Sequence, residues 1–373
     1  MHIEFSDEQN MLRESVARYL VDNYDFEERR KTASEAPGFS PAHWQQFAEM
    51  GWLAMPLPED HGGFGFGAVE LMLLAGEMGR HLVLEPYLET VVVAAGLLQR
   101  GAQPEVLERC LPAIAEGTMQ GALAHAEPGR HASAGNVQCR AVQAVDGGYL
   151  LSGEKAVVCN GPNADFFLVS ARLADEPGLS LFFVEADMAG IERRDYATWD
   201  GRRACDLVLQ EVSVPACALV GTAGGAEALI ETVNDVAVVY ACAESVGAMG
   251  SLLDRTRDYT AQRIQFGKSL SSFQVLRHRM ADMYIEMELC RSLLQAAAQR
   301  LDQQALDARR LVSALKVRTI KAARYVSQNA IQLHGGIAMT DELPVGHYFK
   351  RLALLEHQFG SRDDHLRRFC DAA

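Results

Sequence analysis

Arg263-Ile264-Gln265-Phe266-Gly267-Lys268-Ser269-Leu270, with Phe273-Gln274 just beyond it, interrupts an otherwise helical region. Upstream, Ala226 to Arg263 carries its apolar residues on one stripe. Downstream, Ser272 to Arg300, Ala305 to Leu333 and Pro344 to Glu356 do the same. Four such helices joined by short breaks predict an antiparallel four-helix bundle over residues 224–373. The break itself gathers an arginine, two amides and aromatic rings at a glycine-containing corner. Such a set can grip a diphosphate through charge-assisted hydrogen bonds and hold a planar heterocycle, or simply cap an interhelical corner. A second break, Gln332-Leu333-His334-Gly335-Gly336-Ile337-Ala338-Met339-Thr340, ends one helix on paired glycines that let a ligand or another backbone approach closely.

Outside the bundle the pattern changes twice. Between residues 119 and 223, short β-prone runs alternate with turn residues such as Asp146-Gly147-Gly148. They are Tyr149-Leu150-Leu151, Ala156-Val157-Val158, Asp165 to Ser170, Leu179 to Val184 and Leu207 to Val214. They predict a compact sheet or β-barrel-like domain. Residues 1–118 read as helical: Met11, Leu12, Val16 and Leu20 follow a Ser6 to Gln9 capping box, and Pro41 to Met50, Val69 to Gly79 and Tyr87 to Arg100 repeat the spacing. The fold class is therefore α+β multidomain, with a helical domain at 1–118, a central β domain at 119–223 and a helical bundle at 224–373.

Composition narrows the function. With 35 basic against 49 acidic side chains the net charge is −14, and the absence of a basic stripe excludes a nucleic-acid partner. Hydrophobic residues at 49% and charged ones at 23% suit globular cores rather than disorder. No run reaches about 18 uninterrupted apolar residues, so no membrane span is expected. His2, Glu4 and Asp7 at the start do not form an export signal. The eight cysteines lie singly, without CxxC spacing, which predicts reduced thiols, a cytoplasmic location and no metal site. His278, His334, His347 and His357 lack ligand spacing and read as surface or interhelical residues. Gly63-Phe64-Gly65-Phe66-Gly67-Ala68 matches GxGxxA, but Pro56, Pro58 and two acids precede it instead of a buried strand, so it reads as a helix-entry loop.

Taken in order, several segments resemble the acyl-CoA dehydrogenase family, flavoproteins that oxidise the α,β bond of acyl-CoA thioesters. The resemblance runs the length of the chain. It is carried by Phe5 to Gln9, Pro58-Glu59-Asp60-His61-Gly62-Gly63, Glu127-Pro128, Gly153-Glu154-Lys155, Asn160-Gly161, Arg263 to Gln274 and Gln332 to Gly336. Within the family, Asp195 to Arg203 and the tail Gly346 to Leu352 are most similar to the small subunit of bacterial pimeloyl-CoA dehydrogenase. The resemblance implies FAD bound across a subunit boundary and an electron-transfer flavoprotein as acceptor. It implies that Arg263, Gln265, Phe266, Leu270, Phe273 and Gln274 reach a neighbouring subunit's flavin, and that Gln332, Gly335 and Gly336 approach it too. Leu123 to Pro128 and Val157 to Cys159 match segments lining the isoalloxazine, with Val157 and Cys159 standing where relatives keep an aromatic and a threonine. Asp235 matches an acid that meets CoA.

The family's chemistry needs a carboxylate to take the weakly acidic α proton. Of the two positions relatives use for a glutamate, one falls at Phe359 and the other at Ala237, and neither residue accepts a proton. Glu356, one helical turn before Phe359, and Glu244, two turns after Ala237, are the nearest acids that could replace it. The expectation is a flavin-binding subunit that works with a homologous catalytic chain in a heteromeric enzyme. The alternatives are a stand-alone dehydrogenase with an unconventional base, a flavin monooxygenase of the same fold, and a catalytically silent structural subunit.

Overall fold

The computed structural model describes residues 5–129, 136–174 and 176–371. His2 and Glu4 lie outside them, as do the outermost residues of the first and last expected domains. In chain order the helices and strands are α1 (Asp7–Asn23), α2 (Phe26–Ser34), α3 (Pro41–Glu49), α4 (Ala68–His81), α5 (Ala95–Gly101), α6 (Pro104–Ala115), β1 (Gly121–Ala124), β2 (Arg140–Gln143), β3 (Tyr149–Cys159) and β4 (Phe166–Leu173). They continue with β5 (Ser180–Glu185), β6 (Ile191–Ala197), β7 (Arg203–Val214), β8 (Leu219–Val220), α7 (Ala226–Gln262), β9 (Ile264–Gln265), β10 (Lys268–Ser269), α8 (Gln274–Asp302), α9 (Ala308–His334), α10 (Pro344–Leu355) and α11 (Arg362–Asp371). The chain divides into two compact units, Met1–Arg29, Gly67–Val83 and Val238–Ala373 in one, and Arg30–Phe66 and Leu84–Ala237 in the other. The division falls inside α2 and α7.

In the first unit α8 packs on α9, and α9 also receives α10 and α11. The five residues between α8 and α9 suffice only for an antiparallel return. Helix α4 lies against α1 and α8 and crosses α7 with the two backbones touching. A Cβ on Gly247 would stand 1.9 Å from the Gly76 carbonyl oxygen, and one on Gly79 would stand 2.1 Å from the Glu244 carbonyl oxygen. Only hydrogen fits at this crossing. The GxGxxA run lies at the entry to α4, as expected: Gly67 N–H donates to Glu70 Oε2 at 3.0 Å. Asp302 at the end of α8 accepts from the Ala68 and Val69 amides at 2.6 and 3.0 Å, occupying the orphan donors of the α4 N-terminus.

Helix α11 lies beyond the four helices read from the sequence. Its start is a reciprocal cap, with Asp364 N–H donating to Ser361 Oγ and Ser361 N–H donating to Asp364 Oδ2. Helix α7 is, among the described residues, the one helix long and apolar enough to cross a membrane by length and composition, yet 83% of that window is buried inside the fold. The apolar stretch is core.

The second unit holds an eight-stranded sheet in the order β6-β7-β3-β2-β4-β5-β8, with β1 added on β4. The β1–β4 and β2–β4 pairs are parallel and the remaining pairs antiparallel. Strands β4 and β5 are buried almost throughout. Strand β6 is exposed and charged, which protects the sheet edge it forms. Two β-runs that read separately from the sequence, 149–151 and 156–158, are one strand with irregularities at Gly153 and beyond Lys155.

Candidate functional site

The corner that interrupts the bundle is a minimal hairpin. β9 and β10 pair antiparallel, Gln265 opposite Lys268, and Phe266 (φ +54°) and Gly267 (φ +76°) fill the two turn positions. Positive φ at both is what a two-residue hairpin of this twist requires. Phenylalanine pays about 1–2 kcal/mol for that conformation, and its ring is left 89% exposed. The Phe273 ring meets it edge-on at 6.2 Å, and Lys268 Nζ stands 4.4 Å from the Phe273 ring centre. Arg263 N–H bonds Tyr259 O, and Arg263 O accepts from Leu270 N–H at 2.9 Å, so the backbone of the corner is closed on itself. The Arg263 guanidinium is exposed and has no hydrogen bond or ion pair among the described residues. Gln274, at the first position of α8, and Gln332 are exposed. Gln265 turns its amide onto the Ile264 carbonyl.

The second break sits beside the first. Tyr259, four residues before Arg263, stacks on His334 at 4.5 Å with planes 23° apart and donates its hydroxyl to the His334 carbonyl at 3.2 Å. Burial lowers the His334 pKa, keeping the imidazole neutral in the stack. Gly335 adopts φ +68°, and a Cβ on Gly267, Gly335 or Gly336 would meet nothing within 4 Å. Bare backbone therefore faces open space at both breaks. The sequence singled out both breaks, but no signal linked Tyr259 to a residue 75 positions away. His347 is interhelical: its Nε2 donates to the Asp341 carbonyl at 2.9 Å, and its Nδ1 lies 3.3 Å from the Arg29 Nη1 donor. His278 and His357 are exposed.

In the other unit, Leu123 to Pro128 and Val157 to Cys159 are joined through a buried polar cluster. Lys155 Nζ, fully buried, lies 2.9 Å from Glu127 Oε1 and 3.1 Å from Ser170 Oγ. Glu127 also accepts the Gln138 and Cys139 amides at 2.7 and 2.9 Å. Burial alone would raise the Glu127 pKa, but the ammonium and the two amides outweigh it and hold the carboxyl below its ordinary range. His125 meets Ser170 Oγ at 2.9 Å. Burial and the Lys155 charge push its pKa down to about 4. Strand β3 then reaches Val157, 56% exposed, and the partly buried Cys159.

The two positions that the resemblance assigns to the family's base, Ala237 and Phe359, hold residues that take no proton, as the sequence reading expects. Ala237 is fully buried, and so is nearly all of Asp235 two residues before it. Phe359 lies in the turn between α10 and α11 at φ +59°, its carbonyl 2.9 Å from His365 Nε2. Glu244 is committed to Arg351 through contacts of 2.7 and 2.8 Å, with both side chains at most 3% exposed. Glu356 is paired through both oxygens with Arg324. No group of three or more His, Cys, Asp or Glu suited to a metal exists among the described residues.

Comparison with known proteins covers the chain almost end to end. The N-terminal, middle and C-terminal domain families of acyl-CoA dehydrogenase match residues 6–118, 122–212 and 223–370. Mitochondrial isovaleryl-CoA dehydrogenase of Solanum tuberosum is 27% identical, over 98% of this chain and 89% of its own length. The ChsE4-ChsE5 complex from Mycobacterium tuberculosis contains a chain that superposes with a TM-score of 0.90 at 27% identity, covering 100% of this chain and 98% of that one. PigA with FAD and proline superposes with a TM-score of 0.91 at 25% identity, covering 100% and 98%.

Proposed function

The chain belongs to the acyl-CoA dehydrogenase family, and from that premise we propose that it is the FAD-binding subunit of a heteromeric dehydrogenase whose homologous partner supplies the proton-abstracting carboxylate. It is an oxidoreductase acting on CH–CH bonds, with FAD as cofactor. The residues fit that cofactor. Arg263 offers a guanidinium with no partner among the described residues for a diphosphate, Phe266 and Phe273 offer ring faces, and Gly335-Gly336 leaves backbone uncovered. When bound, FAD would supply the acceptor for a hydride from the acyl β-carbon. Arg263, Gln265, Phe266, Leu270, Phe273 and Gln274 reach the flavin of a neighbouring subunit, and Gln332, Gly335 and Gly336 approach a flavin too. Val157 and Cys159 line the ring system of the flavin held by the β domain, and Asp235 meets the CoA moiety.

One observation carries the heteromeric reading. Both positions for the base hold residues that take no proton, Ala237 and Phe359, while Glu244 and Glu356 are each tied to an arginine. Further support comes from the ChsE4-ChsE5 structure, a complex of differently named chains. The exposed Phe266 and Arg263 suit a subunit boundary, where a partner surface would cover them. An electron-transfer flavoprotein as acceptor, a cytoplasmic location and the three-domain division at 1–118, 119–223 and 224–373 complete the reading.

The test is co-expression. Expressed alone, the chain should oxidise no acyl-CoA at a rate above about 1% of the complex, since a general base contributes about 10²–10⁴-fold. With a homologue that retains glutamate, turnover should appear, and replacing that glutamate should abolish it. Full activity from this chain alone would refute the division of labour while leaving the family and cofactor intact.

A further inference from the structure

Strand β3 departs from its partner at one place where the departure is costly. Lys155 faces Leu207 of β7 and Val158 faces Cys205, so Ala156 and Val157 together oppose the single residue Asp206. This is a β-bulge. At its apex Val157 takes φ +52°, a conformation for which a β-branched side chain is among the least suited. Folding gains little from placing valine there, because its side chain stays 56% exposed.

The surroundings nevertheless enforce the conformation from both sides. Inward, Lys155 is anchored on Glu127 and Ser170, and Ala156 N–H donates to Ala126 O at 2.9 Å. Outward, Val157 N–H donates to Asp206 Oδ1 at 3.0 Å, and Cys159 Sγ approaches Val157 O at 3.7 Å. The same Asp206 oxygen accepts from the Tyr196 hydroxyl of β6 at 2.8 Å. Burial and the Asp206 carboxylate raise the Tyr196 pKa, so the phenol remains a donor. Strain that is over-determined in this way and not repaid by burial marks a functional surface.

We propose that Asp206 is a positioning residue: bridging the Val157 amide and the Tyr196 hydroxyl, it fixes the bulge so that the Val157 side chain is presented as a rigid apolar contact for the flavin ring. The inference rests on the cofactor reading above, and adds to it a clamp made of β6 and β7 residues that do not themselves touch the ring.

The experiment compares wild type, Asp206→Ala, Asp206→Asn, Tyr196→Phe and Val212→Ala in the purified complex. Val212→Ala hollows β7 at a fully buried position opposite Leu151 and serves as a control for general destabilisation. Hydrogen exchange of a peptide spanning residues 155–159 is followed in the flavin-free protein. FAD affinity and the visible band of bound flavin are then measured. Asp206→Ala should speed exchange at the Val157 amide and weaken FAD binding, each about tenfold, with a shift of the flavin band. Asp206→Asn keeps a carbonyl oxygen for both donors and should restore all three to within about twofold. Tyr196→Phe should leave the Val157 amide protected, and Val212→Ala should lower the melting temperature without moving the band. Unchanged exchange in Asp206→Ala overturns the clamp. A faster amide with unchanged flavin affinity and spectrum overturns its role toward the cofactor. Wild-type protein that takes up no FAD overturns the cofactor reading, and the proposal with it.

Discussion

Replacing Glu244 by glutamine separates a strut from a base. The Glu244 carboxylate receives Arg351 Nε and Nη2 at 2.7 and 2.8 Å, with the two side chains 2% and 3% exposed. Arginine does not deprotonate in a protein, so Glu244→Gln leaves a cation buried opposite a neutral amide. Breaking such a pair from one side costs about 3–5 kcal/mol. The amide oxygen can still accept one of the two bonds, which favours the lower end. For a unit of this size about 1 kcal/mol moves the melting temperature by roughly 2–4 °C, so a fall on the order of 10 °C is expected. Because the chain holds two compact units, calorimetry is the suitable assay, resolving the transition of the unit that contains Glu244. The double variant Glu244→Leu, Arg351→Met removes both charges and should recover most of the loss. At 20 °C turnover of the complex should stay within about twofold, since a carboxylate already committed to a guanidinium contributes no general base. A Glu244→Gln protein that melts with wild type but loses about a hundredfold or more in turnover would refute this account and make Glu244 the missing base.

Arg263→Ala should weaken FAD binding about tenfold or more, by removing a charge-assisted partner of the diphosphate; equal affinities by flavin fluorescence would contradict the assignment. Stability should fall with acidity between about pH 6.5 and pH 4. Burial holds His81, His125 and His365 at about 4 in the fold, whereas the unfolded chain takes up their protons near 6.5, so their contribution is complete above the unfolded pKa and is lost as pH drops through the folded one. Melting temperatures across that range, compared with those of His125→Asn, check this. Gly247→Ala puts a methyl 1.9 Å from the Gly76 carbonyl oxygen and should destabilise the first unit by about 1–3 kcal/mol; denaturant melts that match wild type would show that the α4–α7 crossing has slack.

Much of this architecture is local and therefore legible in the chain. Helices α8 and α9 are long and carry an apolar stripe, and α9 ends at Gly335, signals that act within one or two turns. Helix α7 differs from the expected stripe, because it is buried without a break from Ala237 to Leu252 and so is covered all round there. The cap of α11, in Ser361-Arg362-Asp363-Asp364, is local too, but the helix it starts is short and polar and buries only His365, so it carries little apolar signal. Strand β6 escaped for another reason. Glu192, Arg193, Arg194 and Asp195 in Ile191–Ala197 give an edge strand no alternation, because one partner and two wet faces impose none.

The sequence by itself determined the family, the division into helical and β regions, the two glycine breaks, and the absence of a proton acceptor at Ala237 and Phe359. Those facts depend on residue identity and on spacing along one element. Tertiary structure alone decided that Glu244 and Glu356 are bound to Arg351 and Arg324, that Tyr259 joins the two breaks by stacking on His334, and that Asp206 holds Val157 in a strained bulge. The physical reason is common to all three. A titratable or aromatic side chain acquires its role from the groups that desolvate or pair with it, and here those groups lie between 32 and 107 residues away along the chain, where no periodicity reaches.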